Sequence, residues 1–149
     1  MSYLFPPQCI VCEGERDRIV LAELAARVLR VHSISRQLEI FVANGKIVIP
    51  RLVQAAEAHF PPDAVIVVVD SEGHVDATKR MLERALANSE TWIVVANPHV
   101  ESWITDRPGR FPPQNLRDAA AKTDLTWIES EHPEFRVFRE ALVSLPLSR

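Results

Sequence analysis

Four carboxylates stand at two short turns: Glu13 and Asp17 in Cys-Glu-Gly-Glu-Arg-Asp (12–17), Asp70 and Glu72 in Val-Asp-Ser-Glu-Gly (69–73). Carboxylates gathered at one point repel one another and stay ionised only if a cation neutralises them. Oxygen ligands of this kind, with retained water, suit magnesium or manganese. An ion held this way can bind a phosphodiester oxygen, acidify a bound water and stabilise a leaving oxygen, and two ions about 4 Å apart do all three. The competing reading is plain: acids at helix starts, where the N-terminal dipole tolerates negative charge, need no ion.

Which reading holds depends on the elements that carry the acids. Residues 9–12 are apolar enough for a strand covered on both faces. Gly14 then allows a tight turn, and Glu15 opens a helix to about Arg30 with Ile19, Val20, Leu24, Val28 and Leu29 at helical spacing. Residues 32–36 form a polar link to a second strand at 38–42, followed by a turn, Asn44-Gly45-Lys46, suited to positive φ. Pro50 starts a second helix, which carries Leu52, Val53, Ala56 and Phe60. Residues 64–69 are six consecutive apolar residues, the strongest buried-strand signal in the chain, and they end on Asp70. Asp-Ser-Glu-Gly-His (70–74) thus repeats the opening arrangement, with a helix following from 76 to 87. Residues 91–96 read as a fourth strand leaving through Asn97-Pro98-His99. Residues 1–7 are a lead-in ended by two prolines, and 106–113, rich in proline, are loop. A short helix at 114–122, a short edge strand at 125–128, and a closing helix with Phe135, Phe138, Leu142 and Leu145 on one stripe complete the chain.

Strands alternating with helices imply an α/β fold: a Rossmann-like parallel four-stranded sheet flanked by helices, with right-handed crossovers and a C-terminal helical extension. The core spans about 8–105 and the extension 106–149, all within a single domain over 1–149. A parallel sheet puts the carboxyl ends of its strands on one side, where ligand crevices form. Glu13, Asp70 and Glu72 therefore become neighbours.

Composition narrows the classes. A chain of 149 residues, 47% hydrophobic, can bury a core without staples. Its formal charge of −3 argues against coating nucleic acid by charge alone, so any polyanion must be met locally. Cys9 and Cys12 have redox or half-zinc spacing, but they sit inside the apolar strand without a second pair, which favours buried packing. No apolar run reaches the roughly 18 residues of a membrane span, and no basic start leads into a signal-like core. The expectation is a cytoplasmic protein with no membrane partner.

The two turns, Val-Cys-Glu-Gly-Glu-Arg-Asp (11–17) and Val-Val-Val-Asp-Ser-Glu-Gly (67–73), resemble the two motifs of the Toprim domain, an acidic Glu-Gly turn and an Asp-x-Asp turn. The likeness covers roughly 8–105. It is closest to the stand-alone and overcoming-lysogenization-defect (OLD) nuclease branch, with Ala-Asn-Gly-Lys (43–46) and Ala-Asn-Pro-His-Val-Glu-Ser-Trp (96–103) resembling features there. The resemblance implies a magnesium- or manganese-dependent nuclease, or the nuclease subunit of a defence or repair assembly, with DNA or RNA as substrate. It casts Glu13 as general acid/base or metal ligand, Asp17 as the acid one turn later, and Asp70 and Glu72 as the second-motif acids. Glu13, Asp70 and Glu72 are then catalytic, and all four carboxylates hold metal. Glu72 departs from the pattern, which has Asp there. The chain contains no phosphate-binding Gly-x-x-x-x-Gly-Lys-Ser/Thr loop, so an ATPase would be a separate partner. Its one tyrosine, Tyr3, lies in the lead-in, away from any topoisomerase-like role. The alternative is a non-catalytic Toprim-fold subunit that recruits a partner. A phosphoacceptor sheet with Asp70 as acceptor is a third reading.

Further residues could complete such a site. Lys46 follows a glycine turn and could balance charge near the scissile phosphate. Arg107 and Arg110, with Arg117, could grip a nucleic-acid backbone, and Arg16 could do likewise. Glu101 could be a further ligand beside Trp103, and His74 and His99 could touch phosphate. Aromatic residues do not interleave with these arginines closely enough to suggest a base-stacking platform.

Overall fold

The computed structural model describes residues 3–87 and 89–145. In chain order its elements are β1 (Tyr3–Leu4), β2 (Gln8–Cys12), α1 (Glu15–Val31), β3 (Ile34–Ser35), β4 (Leu38–Val42), α2 (Ile49–Glu57), β5 (Val65–Asp70), α3 (Val75–Ala85), β6 (Trp92–Ala96), α4 (Pro113–Lys122), α5 (Leu125–Glu131) and α6 (Phe135–Val143). Four strands form one all-parallel sheet in the order β4-β2-β5-β6, flanked by helices, as the alternating pattern requires. The two acid-bearing strands, β2 and β5, are its central pair, with Cys12 opposite Val68. From β2 the chain moves to β4 on one side, and from β5 to β6 on the other. The carboxyl ends of β2 and β5 therefore flank the point where strand order reverses, the place where such sheets open a crevice.

Both faces of the central strands are covered, which explains their unbroken apolar runs. Ile10, Cys12, Ile66 and Val68 face α1 and the C-terminal helices, packing with Trp103, Phe135, Phe138 and Leu142. Cys9, Val11, Val65, Val67 and Val69 face the other way, toward Val53 of α2 and Leu82 of α3. Because side chains alternate along a strand, Cys9 and Cys12 lie on opposite faces and cannot form a disulfide or share an ion. Both thiols are fully buried, and burial pushes each up to about 12. They are packing residues.

The structure corrects several expectations. Residues 125–128 are not an edge strand: Asp124 caps a helix there by accepting the amides of Thr126 and Trp127 at 2.8 and 3.2 Å. Leu125 and Ile128, three apart, suit that helix, and a run this short does not choose between the two periods. Leu145 does not join the closing stripe; α6 ends at Val143 and Leu145 is exposed, while Phe135, Phe138 and Leu142 are buried. Gly14 has φ −142°, extended backbone, so the first turn does not require glycine's left-handed freedom. Asn44 and Gly45, at φ 59° and 134°, do make the positive-φ turn expected there.

The lead-in and the link at 32–36 are also more than connections. Tyr3 pairs with Ile34 and Leu4 with Ser35, a small parallel extension beyond the main sheet. Pro6 and Pro7 interrupt it, having no amide to donate. Arg36 holds the interruption closed: its guanidinium donates to the carbonyls of Pro6, Leu142 and Ser144 at 2.7, 2.6 and 2.8 Å and lies over the Phe5 ring. Burial lowers this guanidinium to about 10. Gln8 makes a parallel tie, donating to the Ala141 carbonyl at 2.8 Å. The start of the chain is thus clamped to its closing helix. Residues 1–2 of the lead-in and 146–149 of the extension lie outside the described residues. Among the described residues no helix is long and apolar enough to cross a membrane.

Candidate metal centre

Glu13 leaves the end of β2 and spans to the neighbouring strand. Its Oε2 accepts the Asp70 amide at 3.1 Å, and its Oε1 lies 3.6 Å from the Lys46 ammonium. Lys46 is placed there by the glycine turn, whose Gly45 amide donates to the Glu13 carbonyl at 3.3 Å. Asp17 sits in the first turn of α1, buried, with Oδ2 accepting the Gly14 amide at 3.2 Å. Asp70 closes β5: Oδ1 accepts the Val100 amide at 2.8 Å and Oδ2 lies 3.3 Å from His99 Nδ1. Each carboxylate is therefore oriented by a backbone amide before any ligand arrives, the outer support that fixes metal ligands elsewhere.

One oxygen from each of Glu13, Asp17 and Asp70 lies within 4.8 Å of the other two. That span fits three oxygens around one hard cation, allowing a small inward shift to the 2.0–2.6 Å bonds of magnesium or calcium. The electrostatics agree. Burial, then the charges of Asp70 and Glu13, push Asp17 up to about 7. Glu13 and Asp70 are raised too, both chiefly by burial; the Asp70 amide on Glu13, and the Val100 amide and His99 on Asp70, offset part of the shift. Three neighbouring carboxylates that resist ionisation together are what a divalent ion relieves. The donor set thus fits the ion that the two motifs imply.

The other sequence candidates are distributed unevenly. Glu72 stands outside the trio, exposed, although its charge still raises Glu13. Its backbone, at φ 53°, is one that glycine would adopt more cheaply. His99 joins the site through Asp70; His74 is exposed at the start of α3. Glu101 is near but engaged: Arg16 donates to both its oxygens at 3.0 and 2.7 Å, and the Gly109 amide adds a third bond. Burial would raise Glu101, but these donors hold it below its ordinary range. Arg16 also donates to the Phe111 carbonyl, so it ties the proline-rich loop to α1. Arg107 and Arg110 are exposed on that loop, and Arg117 lies on α4, 3.9 Å from Glu23 of α1. No contact joins the loop arginines to the acid trio among the described residues, and Arg117 pairs with α1 instead.

Glu134 carries no sequence signal, yet it holds the site loop in place. Its Oε2 accepts the Asn97 amide at 2.8 Å and the Trp103 indole N–H at 3.0 Å, fixing both ends of the segment that offers His99 and Val100 to Asp70. Ser71 is equally silent in sequence. Buried, it donates to the Asn97 side chain at 3.0 Å and accepts the Gly73 amide at 3.1 Å, so it couples the turn after β5 to the one after β6. Only the later helices and turns, once docked, identify these two residues. No protein-family model matches the chain, and no curated protein matches it.

Proposed function

We propose that the chain is a magnesium- or manganese-dependent nuclease of the Toprim kind, cutting phosphodiester bonds in DNA or RNA, alone or as the nuclease subunit of a larger assembly with a separate ATPase. The single observation that carries this reading is the meeting of Glu13, Asp17 and Asp70, drawn from two motifs far apart in the chain, with one oxygen of each inside a 4.8 Å span. Glu13, Asp17 and Asp70 would hold the ion. Once bound, it supplies a Lewis acid for the phosphodiester and acidifies a coordinated water. Lys46, 3.6 Å from Glu13, would balance charge at a phosphate oxygen. His99 and the Val100 amide keep Asp70 oriented, and Glu72, on the exposed rim, orients water or a second ion from outside the trio. Arg107 and Arg110, exposed on the proline-rich loop, would grip the nucleic-acid backbone.

One observation favours a second reading, a non-catalytic subunit of the same fold. Glu72, the second acid of the second motif, does not reach the shared oxygen cluster. Incubating the purified chain with plasmid and with RNA, in manganese and in EDTA, separates the two. Cleavage that needs the ion supports the nuclease. Ion binding by calorimetry without any cleavage supports the subunit.

A further inference from the structure

An open cleft of about 480 Å³ is lined in part by the loop after β6, the same loop whose Val100 amide holds Asp70. Pro98 lines it one residue before His99, whose ring nitrogen is 3.3 Å from Asp70. Pro108, on the loop between Arg107 and Arg110, lines it from a second side, and Trp127 of α5 from a third. Trp127 and Pro108 are distant in sequence; the fold brings an aromatic ring against the arginine loop.

Trp127 is 46% exposed, whereas Trp103 is fully buried and Trp92 is half-buried with its indole N–H donating to the Asp63 carbonyl. One ring contact ties this exposed indole to the rest of the fold. The Trp127 backbone amide donates to Asp124 at 3.2 Å, and its ring makes a T-shaped pair with His132, centroids 6.2 Å apart at 68°. His132 Nδ1 in turn lies 3.7 Å from Glu134, the carboxylate that anchors Asn97 and Trp103. The indole is thus joined through two side chains to the loop that positions Asp70.

We propose that this cleft seats an unpaired nucleobase beside the scissile phosphate, stacked on the Trp127 indole, so that the preferred substrate is single-stranded nucleic acid. The inference rests on the phosphodiester reading above and names its substrate class. An exposed indole offers a stacking surface that every base can use, whereas a base inside a duplex already has both faces covered. The charges at the cleft agree. Asp106 and Glu131 line it and repel phosphate, so the base edge and not the backbone faces inward. Arg107 and Arg110, exposed on the same loop, take the phosphates outside.

The test uses the full chain in EDTA, so that binding is read without cutting. A single-stranded oligonucleotide, the same strand with abasic residues, and a duplex are titrated while tryptophan emission and anisotropy are followed. The expected result is quenching by the single strand, about tenfold weaker binding of the abasic strand, and loss of that difference in Trp127→Ala. Trp127→Phe restores part of it. Equal binding of base-bearing and abasic strands by the wild-type chain, or an unchanged preference in Trp127→Ala, overturns the proposal. Quenching and base preference without any manganese-dependent cleavage would leave the base cleft standing and remove the nuclease. Cleavage with a KM that Trp127→Ala leaves unchanged would remove the cleft and keep the nuclease.

Discussion

The Glu13 carboxylate accepts the backbone amide of Asp70 at 3.1 Å, across 57 residues of chain. The bond joins two turns that each end an interior strand, and it exists because β2 and β5 are adjacent and in register. It also spreads the effect of any change at Glu13 to the second turn, which shapes the first expected outcome. Glu13→Gln keeps a carbonyl to accept that amide, so the fold should hold, with an unchanged circular dichroism spectrum and a melting temperature close to wild type. Ion-dependent cleavage should fall by at least about 100-fold, since a lost ligand costs no less than the lost outer support of one. Asp70→Asn, which still accepts the Val100 amide, should behave alike. Full cleavage by either variant would end the assignment.

Asp17 sets a pH dependence. Burial, with the charges of Asp70 and Glu13, raises it from 3.8 to about 7 in the folded chain, so between those values the folded state keeps a proton that the unfolded chain has released. Without a divalent ion, the contribution of Asp17 to the fold must become less favourable as the pH rises through that window. Other acids, such as Glu101, are shifted downward and pull the opposite way, so the informative quantity is a difference. The melting temperature of Asp17→Asn minus that of wild type, both in EDTA, should be near zero below pH 3.8 and grow until about pH 7. A flat difference would show that Asp17 is not raised.

Ion binding should follow the same residue in reverse. A ligand that must lose a proton to bind makes affinity rise with pH, so magnesium or manganese should bind more tightly as pH climbs through about 7, with proton release. Calorimetry in two buffers of different ionisation enthalpy measures the released proton. Asp17→Asn should bind the ion more weakly and release less.

Arg36 bears on stability alone. It is a buried cation whose guanidinium donates to three backbone carbonyls. Arg36→Ala strands all three acceptors, and at roughly 1 kcal/mol or more for each the loss should be about 3 kcal/mol in urea unfolding. Ion affinity at the acid cluster should be unchanged, because the clamp joins Pro6 to Leu142 and Ser144 and touches none of the cluster.

Glu134 bears on the site loop. Glu134→Ala frees the Asn97 amide and the Trp103 indole, so it should cost about 2 kcal/mol and increase hydrogen exchange across 97–103. Glu134→Gln, whose carbonyl oxygen can still accept one of these bonds, should sit between. If exchange there is the same in all three proteins, the loop is held by something else.

The fold was legible because its signals are one-dimensional. The apolar run ending at Asp70, the positive-φ turn at Asn44 and Gly45, and the helical spacing of Val20, Leu24 and Val28 each report burial or backbone geometry within a few residues. Leu125 to Ile128 misled because four residues fit either period, and only the Asp124 cap decides between them. The site divides the same way. That Glu13 and Asp70 share one edge follows from parallel strands; that they meet also needs β2 and β5 to be neighbours. That Asp17 completes the oxygen set while Glu72 stands aside depends on how the first turn of α1 and the turn after β5 are aimed.

Residue types and spacing by themselves determined that this chain makes a parallel sheet and delivers acids to one edge, since a strand covered on both faces must be apolar and a parallel sheet has one carboxyl side. Tertiary structure alone decided which carboxylates share a point, that Glu101 is spent on Arg16, that Glu134 anchors the site loop, and that Trp127 stands beside the arginine loop. Those are contacts between residues far apart in the chain, set by how helices dock, and no local pattern encodes a docking angle.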